Sequence, residues 1–344
     1  MDFNLCSNQT SGSDLVAVFY SKTAEFDTGM FCIYVIEGCI QICGNTLILL
    51  AIARRKQLHR KEYCLPASLA LSDLFWGCGQ FSAGIKRLQI MTADRGLQLV
   101  STWDCLLEFH NNFFLMGGFT VAPMLFLISL DRLIACVSIK KYMEITTSRI
   151  LQWVVLAYAL ALIFLVAAYV STYYDVRSPI YPNTCLIGWA LVRWMDILWT
   201  WYQFVAGLAS CVMYVVALFF LRRIHTPVFD ETLRRHYKRQ AVVTRTLSYV
   251  IGCTLVLQTI PILVMALSTF SEVERMYDNI MTLVCLALIN ANSANNIFIY
   301  FWKNKDIRDG VVSIFEIRKS PNIIIPIRKS PEFINQQMIS EDQL

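Results

Sequence analysis

Residues 106–137 read LLEFHNNFFLMGGFTVAPMLFLISLDRLIACV. From Phe113 to Leu130 the stretch carries no charge, and it then stops on the adjacent pair Asp131-Arg132. A hydrocarbon core of about 30 Å is crossed by roughly 20 helical residues rising about 1.5 Å each, so the run is long enough to span a membrane. The same criterion, taken outward along the chain, marks six more spans at 30–53, 64–90, 150–173, 195–221, 243–269 and 279–302. Lipid offers backbone N–H and C=O groups no partners, so the spans must be helices or a closed barrel. The continuous apolar runs lack the two-residue alternation of a barrel. The expected fold is an all-α membrane protein, a seven-transmembrane-helix bundle.

Composition agrees, since 56% of the 344 residues are hydrophobic and only 16% are charged, outside the range of a soluble domain. The loop after the first span carries Arg54, Arg55, Lys56, Arg60 and Lys61 against Glu62. The loop after the third carries Lys140, Lys141 and Arg149, and the one after the fifth carries Arg222, Arg223, Arg234, Arg235, Lys238 and Arg239. Short positive loops stay on the cytoplasmic side, so the amino end is expected outside and the carboxyl end inside. Residues 1–29 then form an external segment without a removable signal peptide, in which Asn8-Gln9-Thr10 is a glycosylation sequon centred on Asn8. Residues 30–302 form the membrane bundle, 303–316 a short amphipathic membrane-surface helix, and 317–344 a disordered tail. Ile307, Val311, Val312 and Phe315 are expected on the lipid side of that helix.

Most of the twelve cysteines lie in spans, where a small buried hydrophobe is the ordinary reading. Cys105, at the outer start of the third span, and Cys185, in the loop between the fourth and fifth, share one side of the membrane and are expected to be bonded. Cys6 has no partner in this scheme.

Asn45 after Gly44, Leu69-Ala70-Leu71-Ser72-Asp73, Asp131-Arg132-Leu133, Pro261 and Asn292-Ser293-Ala294-Asn295-Asn296-Ile297-Phe298-Ile299-Tyr300 occupy successive spans in order. Together they resemble a rhodopsin-type G-protein-coupled receptor over about residues 30–315. The runs 130–135, LDRLIA, and 299–308, IYFWKNKDIR, look most like nematode serpentine chemoreceptors of the Srsx type. The resemblance implies a heterotrimeric G protein as partner and an extracellular small-molecule or peptide ligand. It also implies arrestin at the tail and a place in the plasma membrane, within it a sensory cilium. The chain departs from the pattern at several places, among them the fourth and fifth spans, neither of which contains proline. Ile297 stands where the family has proline, Thr259 where it has a toggle tryptophan, and Cys105 to Arg132 is two residues longer than usual. The seventh helix should therefore bend less. The extra residues imply either a bulge near Gly117 and Gly118 or a shifted disulfide.

An ionisable residue at membrane depth costs about 2.5–3.5 kcal/mol and faces the protein interior. Asp73 is the clearest case; with Asn45, Asn292 and Asn296 it is expected to form a polar network, in which the resemblance implies a sodium ion or waters. A purely structural network is the alternative. Arg132 is expected to pair with Asp131 and, when released, to engage the G protein, with Tyr214 and Tyr300 swinging inward as the resemblance implies. Headgroup anchoring and belt positions are the plain alternatives. The six basic residues from Arg222 to Arg239 can dock a G protein or attract anionic membrane lipids. Pro261, with Thr259 beside it, is the hinge.

Glu108, Asn111, Asn112, Phe114, Trp189, Asp196 and Thr259 are the candidate ligand residues, with Trp103, His110, Trp194 and Trp199 nearby. Phe114 lies about five turns outward from Arg132, where the resemblance puts an aspartate in amine receptors, which disfavours a biogenic amine. The tryptophans are equally well placed as interface residues. Glu37 is either a further contact or a partner for a neighbouring helix. The tail repeats Ile-Arg-Lys-Ser-Pro at 317–321 and 327–331, so Ser320 and Ser330 are candidate phosphorylation sites.

Four histidines, no phosphate-cradling glycine loop and no nucleophile beside a base argue against an enzyme. No feature suggests a nucleic-acid partner. A ligand-gated channel or secondary transporter is the rival; it would show internal repeats or several midplane charges.

Overall fold

The computed structural model describes residues 12–93, 95, 98–174, 181–223, 244, 247–268 and 275–316. The chain folds as a seven-helix bundle. Its long helices are Gly12–Arg54, Lys61–Thr92, Phe109–Val137, Thr147–Tyr173, Arg193–Arg223, Leu247–Ser268 and Arg275–Lys303. Six of them contain a stretch long and apolar enough to cross a membrane. The second is as long but carries Asp73, Lys86 and Arg87, whose heads turn into the protein or to its rim. Sequence placed each helix within a few residues, apart from the first, which starts well before residue 30.

The third span differs from expectation in a useful way. It is two helices, Thr102–Leu107 and Phe109–Val137, separated at Glu108, whose φ of −61° and ψ of 128° are extended. Ser101 starts the short piece with a capping box: its hydroxyl accepts from the Asp104 amide, and the Asp104 carboxylate accepts from the Ser101 amide. Between Cys105 and Arg132 the helix is interrupted at Glu108. There is no bulge at Gly117 and Gly118, which lie in unbroken helix; a Cβ on Gly117 would sit 2.9 Å from the Trp76 backbone nitrogen. Those glycines therefore serve close helix packing.

Pro123, inside the third helix, leaves the Phe119 carbonyl without its usual donor. The Tyr202 hydroxyl of the fifth helix donates to that carbonyl at 3.4 Å. Pro261 acts differently. Just before it, Leu255–Thr259 opens into a π turn, which makes room for the ring and turns Gln258 and Thr259 into the bundle, where both are buried. The seventh helix, with Ile297 where a proline would kink it, runs unbroken over its length.

Two apolar clusters form the core. One, at the disulfide end, includes Phe31, Trp76, Phe114, Phe119, Leu186, Trp199 and Ile289. The other, at the Arg132 end, includes Ile48, Leu69, Leu125, Tyr214, Val250 and Tyr300. Between them on the first, second and seventh helices fall Gln41, Asn45, Asp73, Asn290, Asn292, Ser293 and Asn296, all buried. The fourth helix covers the bundle and leaves Leu151, Val155, Leu156, Leu160, Ile163 and Val166 exposed, as a lipid-facing helix does.

The helix Lys305–Glu316 follows the seventh. Val312 and Phe315 are exposed, as a lipid-facing side requires, but Ile307 and Val311 are not: both are buried in the cluster that holds Ala51 and Leu58. The Tyr63 hydroxyl donates to Asp306 at 2.6 Å and Arg55 Nε to Ser313 Oγ at 3.3 Å, so the helix is clamped to the protein along one face.

Candidate functional site

Arg132 lies near the end of the third helix, and only 2% of it is exposed. Its Nε donates to Asp131 Oδ2 at 3.0 Å, a second bond joins Nη2 to the same oxygen, and Nη2 also donates to the Tyr142 hydroxyl at 3.2 Å. Tyr142 lies on a short helix, Ile139–Glu144, and is itself buried. Lys61 fixes that helix from the second span, donating to the carbonyls of Tyr142 at 2.6 Å and Ile145 at 3.1 Å, with its ammonium 4.1 Å from the Tyr142 ring centre. Burial pushes the Tyr142 phenol up to about 12, so it stays protonated and offers Arg132 a neutral oxygen. Tyr214 and Tyr300, both buried, lie within electrostatic reach of Arg132. The Tyr214 hydroxyl donates to the carbonyl of Thr244, three residues before the sixth helix as described. Arg222 is exposed at the end of the fifth helix and the Arg223 backbone closes it. Arg234, Arg235, Lys238 and Arg239 lie outside the described residues, as do Asn8, Ser320 and Ser330.

The polar network expected around Asp73 is arranged differently. Asp73 accepts from Ser293 Oγ at 2.8 Å and from Asn296 Nδ2 at 3.3 Å. Asn45 instead donates to the Gln41 carbonyl one turn earlier on its own helix, at 3.0 Å. Asn292 faces the sixth helix and donates to Gln258 Oε1 at 2.9 Å, reaching the residue that the π turn brings inward. Ser293 and Gln258 were missed because a serine or glutamine in an apolar helix is common. Only the carboxylate that the serine meets, and the π turn that re-aims the glutamine, distinguish them. The Asn296 Oδ1 atom is buried without a donor among the described residues, so Asp73 and Asn296 together offer oxygen ligands of the kind a small cation takes.

At the other end, Cys105 and Cys185 are bonded. The loop they anchor runs from Cys185 to Val192 with Leu186, Ile187, Leu191 and Val192 buried in the bundle. Among the residues expected to meet a ligand, Asn111 bonds this loop and Asn112 bonds the helix break beside it. Asn111 Nδ2 donates to the Cys105 carbonyl at 2.7 Å and the Cys185 carbonyl at 3.4 Å. Asn112 Nδ2 donates to Leu106 and Glu108, both at 3.2 Å, and its Oδ1 accepts from Tyr169 at 2.6 Å. Around the break at Glu108 the two amides add to backbone bonds already made to the Cys105 and Glu108 carbonyls, and Asn112 also reaches the Leu106 carbonyl. Glu108 itself pairs with Lys86, half-exposed. Phe114 is buried edge-on against Trp76, with ring centres 5.0 Å apart. Trp189 stacks on Tyr181, Asp196 lies beside Gly188, and Thr259 faces Gly207 of the fifth helix. Arg87, which sequence did not single out, is buried and donates to the carbonyls of Thr184 at 2.8 Å and Cys185 at 3.0 Å. An open hollow of about 490 Å³ at this end is lined by Ser171, Tyr174, Val192, Arg193, Trp194 and Ile197, and by none of the seven candidates.

A family model described as serpentine type 7TM GPCR chemoreceptor Srsx matches residues 38–315. The chain belongs to the Srsx serpentine chemoreceptor family. Its matched region takes in all of the Arg132 end and the Asp73 layer, and the family is one of receptors, not enzymes. This Srsx family member is also similar to olfactory receptor 1M1 of Homo sapiens, 26% identical over 148 residues, covering 43% of this chain and 45% of that receptor. Olfactory receptor 1D2 of Homo sapiens is 32% identical over 69 residues, 20% of this chain and 22% of that receptor. The Srsx member thus aligns with less than half the length of these curated relatives.

Proposed function

We propose that this protein is a plasma-membrane chemoreceptor that couples an extracellular ligand, a small molecule first and a peptide second, to a heterotrimeric G protein. The relatives named as olfactory receptors favour the small molecule. The observation that carries the reading is the buried Arg132, whose charge is held by Asp131 and Tyr142 at the floor of the bundle. A buried ion pair is a weak source of stability but a well-defined latch. Ligand binding biases an existing two-state equilibrium. The sixth helix opens about its π turn and Pro261, the Tyr214 bond to Thr244 yields, and Arg132 leaves Tyr142 to meet the G protein. Arg222 and the basic residues beyond it add attraction for that partner and for anionic lipids.

In this reading the amino end is external, with Asn8 available for glycosylation, and the carboxyl end is internal. Ser320 and Ser330 are then open to phosphorylation and arrestin, and the sensory cilium is a fitting location. Asp73 and Asn296 would hold a sodium ion, which would stabilise the resting arrangement by neutralising the carboxylate. The test is guanine-nucleotide exchange in membranes expressing the receptor. Arg132→Ala is expected to abolish ligand-evoked exchange while surface expression persists, and undiminished exchange would overturn the assignment.

A further inference from the structure

A second carboxylate lies at membrane depth, away from Asp73. Glu37 sits on the face of the first helix that crosses the second, and there the two backbones are in direct contact: a Cβ on Gly38 would lie 2.6 Å from the Phe81 nitrogen. Gln80 precedes Phe81 on that turn, and its Nε2 donates to Glu37 Oε2 at 2.7 Å. One turn inward, Gln41 occupies the same face as Glu37. Its Oε1 points at the second helix, where a Cβ on Gly77 would be 3.2 Å away. Its Nε2 is committed to the Asn290 carbonyl at 2.7 Å, while Trp76 Nε1 donates to Asn290 Oδ1 at 2.8 Å.

The Asn290 side chain is a second hydrogen-bond partner of Glu37, and what these bonds leave over is two amide oxygens. Gln41 and Gln80 are each 0% exposed, and both Oε1 atoms lack a hydrogen-bond partner among the described residues. With the Glu37 carboxylate they place hard oxygen atoms on the facing turns of the first two helices, and each is costly to bury unmatched. One carboxylate among neutral amides matches a single positive charge, because a divalent ion would leave a net charge in a medium of low dielectric. Glu37 is only half-buried, which leaves these oxygens a way in from the rim of the first helix.

We propose that Glu37, Gln41 and Gln80 form a binding site for a monovalent cation of sodium size, separate from Asp73. The site pins the first helix to the second. It does not depend on the signalling role proposed above, and its test needs no ligand or G protein.

The receptor is purified in nanodiscs, and its melting temperature is followed as sodium chloride replaces choline chloride at constant ionic strength. Asp73→Asn is expected to keep a saturable rise in melting temperature. Adding Glu37→Gln should remove that rise or move its sodium midpoint at least about tenfold upward. If the double variant does not fold, Gln80→Leu in the Asp73→Asn background keeps the carboxylate and removes one oxygen, and it should also shift the midpoint upward. Loss of all sodium dependence with Asp73→Asn alone would overturn the proposal. So would the same midpoint with and without Glu37 or Gln80, or a response that follows pH and ignores sodium, which would identify a proton on Glu37.

Discussion

At Tyr142 a single side-chain oxygen meets the buried Arg132 guanidinium. Its hydroxyl accepts from Arg132, while its carbonyl takes the Lys61 ammonium. Tyr142→Phe removes only the first of these and keeps the ring packed. A hydrogen bond to a charged group contributes about 1.5–3 kcal/mol, so ligand-independent nucleotide exchange should rise about tenfold or more, measured on equal amounts of surface receptor. Unchanged basal exchange would show that Asp131 alone retains Arg132. Charge explains which residues could be read in advance. Asp73 and Arg132 stand out because an apolar helix tolerates few ionised groups. Ser293, Asn290 and Gln258 are equally buried but neutral, and what each meets depends on the neighbouring helix. The same holds for Asn111 and Asn112. Sequence showed polar residues near the disulfide; that they bond the carbonyls around Glu108 followed only from the break there.

At the scale of elements, the helix pair Gly12–Arg54 and Lys61–Thr92 meets through glycine. Gly38→Val forces a side chain into the Phe81 backbone and should cost about 1–3 kcal/mol, read as a lower melting temperature of purified receptor. Gly29→Val, where a Cβ meets nothing within 4 Å, is the matched control and should leave melting nearly unchanged. Helix positions were legible because length and apolarity alone decide them. The π turn was not, because Pro261 announces a disturbance without saying which kind. The helix Lys305–Glu316 was legible as amphipathic, but half of its apolar face is spent on the protein. Ile307→Asp should therefore detach it and speed amide exchange across 305–316, whereas Phe315→Asp, on the exposed side, should not.

For the whole molecule, the bundle's two ends are held in different ways. The disulfide, Arg87 and Asn111 converge on the Cys185 backbone and close one end. Cys105→Ala should cost about 2–5 kcal/mol, seen as a lower melting temperature, and the Cys105→Ala/Cys185→Ala pair should be no worse than either single change. A clearly additive loss would mean that each sulfur has a role beyond the bond. The seven-fold threading was readable from composition and spacing. Which residues close the mouth was not, because that depends on a loop whose buried side chains, Leu186 to Val192, resemble any other apolar segment.

The interruption at Glu108 has a mechanical consequence. The sulfur bridge grips the six-residue stub, Thr102–Leu107, while the latch at Arg132 belongs to the long rod that follows. A tug on the loop at Cys185 therefore reaches the rod as through a clutch, engaged by two asparagine amides and slack when they let go.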